Sequence, residues 1–281
     1  MKRKLTIYVR PRWSLLLMLL ATAVIVLLGV FLFFRVHTKN KAYQKYVSTI
    51  PAAAEVGAMD VYIQNDGTLI FYAEGFYSFA VLNENSQMGA LQPFTVGGNT
   101  INAVFVSVAT DSVKETVLSA MEQGIDIRNL FVPEGTDQKF LDMFIEQTRQ
   151  GKVIICSGGE YQLFKDAAVY VLNGKESLSL MITHGNNTFL YSHDNKVGNM
   201  LNQKEATVCI MPYDIFIDSY LNTEYALFPD SKVDIEKLRK KTDYYAATYG
   251  NSDIFCLSNG NQISFDVYFN ATGRLEGEEN P

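Results

Sequence analysis

The 281 residues carry a formal net charge of −6, and that charge is divided unevenly. Nine of the 24 Lys and Arg lie in the first 45 residues, which hold no acid, so the remainder sets 15 bases against all 30 acids and carries −15. A balance that acidic argues against a nucleic-acid surface, because phosphate binding needs clustered Lys and Arg to release counterions. The one basic run, residues 237–241, reads as a solvated helix face.

Residues 14–34 are apolar throughout apart from Ser14 and Thr22. At about 1.5 Å per residue they would cover a bilayer core of about 30 Å. A secretory signal would be shorter, about 7–15 apolar residues, and would end in a small-residue cleavage site that is missing here. The expectation is an uncleaved single-pass transmembrane helix, with lipid as its partner. Five basic residues precede the segment and four follow it closely, so the positive-inside rule favours a cytoplasmic N-terminus only weakly. The chain then divides into a basic cytoplasmic tail (1–13), the span (14–34), a juxtamembrane stalk (35–58), one extracytoplasmic α/β domain (59–270) and a polar tail expected to be disordered (271–281).

Within the domain, strands are expected at 61–64 and 68–73, joined by the tight turn Asn65-Asp66-Gly67, and at 77–82. Residues 101–135 read as strand, loop, helix and strand. A buried run at 101–107 precedes the loop Val108-Ala109-Thr110-Asp111-Ser112. The helix follows, with Val113, Val117, Leu118 and Met121 on one face, then Gly124 as its stop, then a strand at 128–132. That is a βαβ unit, and open α/β sheets place chemistry at the carboxyl end of such strands. A helix bearing Phe140, Leu141, Phe144 and Ile145 leads to a strand at 153–156 and the turn Ser157-Gly158-Gly159. Strands follow at 161–164, 168–172, 177–183 and 188–192, the last two joined by a turn at His184–Asn187. Two αβ units with strands near 207–211, 225–228, 254–257 and 263–267 close the domain. Cys156, Cys209 and Cys256 each sit in an apolar strand-like run without C-x-x-C spacing. They are expected as buried free thiols, although one disulfide stays open.

The 101–135 segment resembles the metal-site segment of the metallo-β-lactamase fold, in the form found in the extracytoplasmic domain of ComEC-type DNA-uptake proteins. There the loop reads His-x-His-x-Asp-His. Here Ser107, Ala109, Asp111 and Ser112 take those positions, with Lys114 and Glu115 where glycines would follow. SLSLMI (177–182) leading to FLYSHD (189–194) resembles the family's strand into Leu-Leu-Thr-Gly-Asp, keeping Asp194 and replacing the glycine with His193. VCIMPY (208–213) stands where the family has Lys-Val-x-His-His-Gly, and Asp214 follows that lost position. TEYALFP and SDIFCLSNGNQISFDV resemble the closing strands, while 73–78 echoes the family's first landmark as fold and not site.

The resemblance implies an α/β, four-layer αββα sandwich preceded by the membrane helix. It also implies loss of the zinc site: paired metals need several imidazoles and a bridging carboxylate, and beyond His37 the chain offers only His184 and His193. No cofactor is expected. The degenerate-site candidates are Asp111, His193, Asp194 and Asp214, with Asp111 and Asp194 as weak candidates for a hard cation. The competing assignment makes Asp111 the cap of the helix at Ser112 and Asp194 a turn cap. Turns at both ends of a strand keep His184 about 20 Å from His193.

The functional expectation is a catalytically inactive, membrane-tethered binding or scaffold module with a protein partner. The alternative is a divergent metal-dependent hydrolase, nuclease- or phosphodiesterase-like, using Asp111, His193 and Asp194. A third is an accessory subunit of a competence or secretion apparatus.

Overall fold

A computed structural model describes residues 57–73, 77–87, 89–91, 99–148, 150–164, 167–193, 206–219, 221, 223–229, 232–248, 253–268 and 272–274, together with Thr22, Val26 and Gly29. Residues 1–49 and 50–281 are two compact units. Thr22, Val26 and Gly29 are helical and exposed; the rest of the expected span at 14–34 lies outside the described residues, as do the tail at 1–13, the stalk up to residue 56 and residues 275–281. Among the described residues no helix is long and apolar enough to cross a membrane.

The second unit is built from two eight-stranded sheets. The first contains β1 (Met59–Ile63), β2 (Leu69–Ala73), β3 (Tyr77–Leu82), β5 (Ala103–Val106), β7 (Asn129–Pro133), β8 (Lys152–Cys156), β16 (Asp253–Ser258) and β17 (Ile263–Tyr268), in the order β17-β16-β1-β2-β3-β5-β7-β8. The second contains β9 (Gly159–Phe164), β10 (Ala167–Asn173), β11 (Ser179–His184), β12 (Asn187–Tyr191), β13 (Ala206–Ile210), β14 (Thr223–Pro229), β15 (Thr242–Thr248) and β18 (Thr272–Arg274), in the order β18-β15-β14-β13-β12-β11-β10-β9. The expected strand at 101–107 is split. Thr100–Ile101 (β4) leaves to pair with Asp126–Ile127 (β6) in a separate two-stranded ladder, and Asn102 turns aside to receive the Ser78 backbone N–H on its side chain.

Three apolar layers explain the stacking. Alternate residues of β1, β2 and β3 (Met59, Val61, Ile63, Phe71, Phe79, Val81) face Leu180, Ile182, Phe189, Tyr191, Val208 and Ile210 of the other sheet. Phe71 stacks on its register partner Phe79, with centroids 4.2 Å apart, and each fully buried Phe contributes about 2–3 kcal/mol by leaving water. Residues of opposite parity (Ile70, Ala80, Val104, Val106) meet Val113 and Val117 of α1 (Asp111–Glu122) and Phe140 and Phe144 of α2 (Gln138–Gln147). On the far side Leu190, Cys209 and Phe228 meet Phe216 of α3 (Tyr213–Asp218) and Leu238 of the single-turn α4 (Ile235–Leu238). Lys241, just past the α4 turn, donates to the carbonyls of Phe216, Ile217 and Ser219. The architecture is thus αββα. All three cysteines are buried and free.

β3, β5, β7 and β8 run parallel, as do β12, β13, β14 and β15. Their carboxyl ends meet at one edge, where Leu178 N–H donates to the Ser107 carbonyl (2.7 Å) and links the two sheets. The β1–β2 turn lies at that edge, since Gly67 packs against Asn83 and Pro229. Because β2 and β3 are antiparallel, Ala73, Tyr77 and Ser78 lie at the opposite edge, away from the carboxyl ends; the rest of the 73–78 segment lies outside the described residues.

Candidate functional site at the carboxyl edge

Each position of the 107–112 loop is used locally, and the side chains diverge. Ser107 ends β5 fully buried: its N–H donates to the Leu82 carbonyl, and its hydroxyl receives the Tyr191 O–H at 3.4 Å. Tyr191 is itself completely buried, which pushes its phenol far above the ordinary tyrosine range. Ala109 packs into the outer cluster around α1. Thr110, not Asp111, caps α1, accepting from the Val113 N–H at 3.4 Å. Asp111 occupies the first helical position with its side chain 95% exposed and ion-paired to Lys114 at 3.2 Å. Ser112 donates to the Ser86 carbonyl. One loop thus sends Ser107 inward, Asp111 to solvent and Ser112 sideways.

His193 follows β12 at the same edge. Its ring centre lies 5.3 Å from that of Tyr191, and Nδ1 is 4.0 Å from Glu84 Oε1. Its Nε2 is buried without a hydrogen-bond partner among the described residues. Burial holds its pKa below the ordinary histidine value, with the Glu84 carboxylate pulling the other way. Asp214 stands exposed in the first turn of α3, whose cap position is Pro212 and offers no side-chain acceptor. Asp194 lies outside the described residues. The structure therefore brings His193 to Glu84 and Tyr191, neither of which any motif pairs with it, and directs Asp111 to Lys114.

These donors do not fit a zinc pair. Among the described residues no group of three or more His, Cys, Asp or Glu side chains is gathered as metal ligands, and the loop supplies a hydroxyl and a methyl where imidazoles would be needed.

The other histidine lies at the opposite edge, as its turn position requires. His184 and Asn187 bracket the two-residue hairpin turn, and His184 Nδ1 lies 2.8 Å from Ser258 Oγ. No serine–histidine pair was legible in the sequence, since 74 residues separate the two. A hydroxyl that close to an imidazole has the geometry of an activated nucleophile. Here it is spent: Ser258 Oγ accepts from Asn187 Nδ2 (2.8 Å) and from the Gly260 N–H (3.3 Å), and serine and histidine are both buried. The pair is a structural clasp between the β11–β12 and β16–β17 hairpins.

No protein-family model matches the sequence, and no curated protein matches it. Solved structures do match its fold. The metallo-β-lactamase fold protein YhfI from Bacillus subtilis is similar with a TM-score of 0.51 at 13% identity, over 72% of this chain and 100% of that one. A diphosphatase of the PhnP family (TM-score 0.45, 10% identity, 70% of this chain and 96% of that) and a variant of the β-hydroxylase CmlA (0.44, 8%, 61% and 45%) match less well. At such identities the likeness is one of fold, and the chain carries a metallo-β-lactamase-like αββα domain.

Proposed function

We propose that this domain works by binding and not by zinc-dependent hydrolysis, held at the outer face of a membrane by residues 14–34, as a ComEC-like module that has shed its metal ligands. The observation that carries this is the fate of the 107–112 loop: the hydroxyl of Ser107 is engaged by Tyr191, and the one retained carboxylate, Asp111, is turned to solvent and paired with Lys114. A protein partner at the membrane is the occupant proposed for this edge, and competence or secretion machinery is the setting the resemblance offers. The acidic composition beyond Lys45 weighs against nucleic acid.

A reduced, single-metal hydrolase is the second reading, favoured by His193, whose Nε2 is buried and unpartnered at the same edge. Elemental analysis separates the two. The full chain, purified in detergent without chelator and challenged with zinc, manganese, magnesium and calcium, is expected to retain none of them stoichiometrically. About one equivalent that disappears in the Asp111→Ala, Asp194→Ala double variant would overturn the binding-module proposal and put the hydrolase first.

A further inference from the structure

Away from the carboxyl edge, the clasped hairpins form the rim of a cavity of about 520 Å³. Its lining includes Glu224, Asn261, Gln262, Ser264 and Phe265, and contains no Lys, Arg or His. The rim is tied together by further hydrogen bonds: Asn186 N–H donates to the Gly260 carbonyl at 2.6 Å, Asn187 Nδ2 donates to the Gln262 carbonyl, and Asn186 Nδ2 donates to Asn261 Oδ1. Those bonds consume backbone groups and one amide oxygen. The Glu224 carboxylate, the Gln262 amide, the Asn261 amide nitrogen and the Ser264 hydroxyl have no side-chain bond to any described residue. Beside them the half-buried Phe265 ring packs on Tyr225, with centroids 4.7 Å apart and planes tilted by 40°.

The ligand class follows from what the cavity can and cannot satisfy. An anion would meet Glu224 with no cation in the lining to offset it. A metal ion would find a single carboxylate where a hard cation takes six or more oxygens. An apolar ligand would strip water from several amide and hydroxyl groups without replacing their hydrogen bonds. An uncharged ligand rich in hydroxyls satisfies all of them: a carboxylate and planar amides bond to ligand hydroxyls, and an aromatic ring takes the ligand's C–H face. We infer that this cavity is a binding site for a neutral carbohydrate, with Glu224 and Gln262 as its main hydrogen-bonding groups and Phe265 as its apolar contact. The adjoining cavity of about 650 Å³ shares Thr207 and Glu224 with it but is charged, lined also by Arg239, Lys240 and Asp243, and lies outside the proposed site; there Thr223 and Thr242 spend their hydroxyls on backbone carbonyls and Lys241 is committed to α3.

The test is isothermal titration of the detergent-solubilised full chain with chitotetraose and cellotetraose, with inorganic phosphate as the anionic control. Saturable binding of at least one oligosaccharide is expected, with none for phosphate. Glu224→Gln and Phe265→Ala should each weaken it about tenfold, a loss of roughly 1.4 kcal/mol. Glu224 is exposed, so Glu224→Gln keeps its melting temperature and reports on binding alone. Absence of saturable binding for both sugars, phosphate binding in their place, or sugar affinity unchanged in both variants would overturn the proposal. Because the variants leave Asp111, His193 and Asp194 untouched, a failure here says nothing about the metal question at the other edge.

Discussion

The two edges of the sandwich are built on different terms. At the hairpin edge, His184, Ser258 and Asn187 are buried and mutually bonded, and Gly185 lies so close to Gly260 that an added Cβ would sit 2.5 Å from its carbonyl oxygen. At the carboxyl edge, Asp111 is exposed, His193 leaves Nε2 unsatisfied, and the Tyr191–Ser107 contact is long at 3.4 Å. The first edge holds the two sheets together. At the second, a buried ring nitrogen, His193 Nε2, has no partner among the described residues, which is the pattern the proposed binding role at that edge predicts.

The strongest challenge to this contrast comes from Asp60, one residue past Met59, the register partner of Ser258. It faces the outer side of the first sheet, is 7% exposed, and its Oδ1 has no hydrogen-bond partner among the described residues. Burial raises its pKa from 3.8 to about 7, so the folded chain holds a proton that the unfolded chain releases. The stability this gives is fully present below about pH 4 and is lost as pH rises through 7. The span is on the order of 4 kcal/mol. Urea denaturation across that range should show the fall, and Asp60→Asn should flatten it and leave the variant the more stable protein at pH 8. A wild-type profile without that slope would mean the carboxylate is solvated, and the buried side chains described in the hairpin half of the sandwich would then all be satisfied.

Gly185→Ala sharpens the contrast from the other direction. The residue has φ of 58°, where an L side chain is strained, and its Cβ would press on the Gly260 backbone, which cannot rotate away as a side chain could. A loss of about 3 kcal/mol is expected by denaturant titration. Gly124→Ala, at a φ of 87° with open space around it, should cost nearer 1 kcal/mol. Equal losses would show that the strain is conformational and that the hairpin contact adds nothing.

Much of the fold could be read from periodicity. The βαβ unit at 101–135, the turn Asn65-Asp66-Gly67 and the buried cysteines follow from local pattern, because strand alternation and glycine stops are short-range signals. What could not be read depends on distant pairing. The split at Asn102 arises because its side chain answers a backbone N–H on β3, and Thr110 takes the capping role from Asp111 because one residue of shift places its hydroxyl on the Val113 N–H. Glu84 and Tyr191 gave no motif to mark them as neighbours of His193, and Ser258 gave none to mark it as the partner of His184. Ser107–Ser112 and His193 lie at the carboxyl edge, but their side-chain directions, Asp111 outward above all, are not encoded in spacing.

The smallest effect is expected at the centre of the carboxyl edge. Tyr191→Phe removes one hydroxyl from the interior together with its interactions with Ser107 Oγ and the Asn83 side chain, the first of them 3.4 Å long, a length at which little of a hydrogen bond's strength survives. The ring, which fills space between the sheets, is retained. A change below about 1 kcal/mol in either direction is therefore expected, since the lost bond is offset by the phenol's lower desolvation cost. Ser258→Ala at the other edge strands His184 Nδ1 and an Asn187 N–H together, and should cost about 2–3 kcal/mol. If Tyr191→Phe proved the more damaging of the two, the Tyr191–Ser107 pair would be a structural replacement for the lost ligands, fixed in place to hold the sheets where a metal would have, and the carboxyl edge would have to be counted as scaffold alongside the clasp.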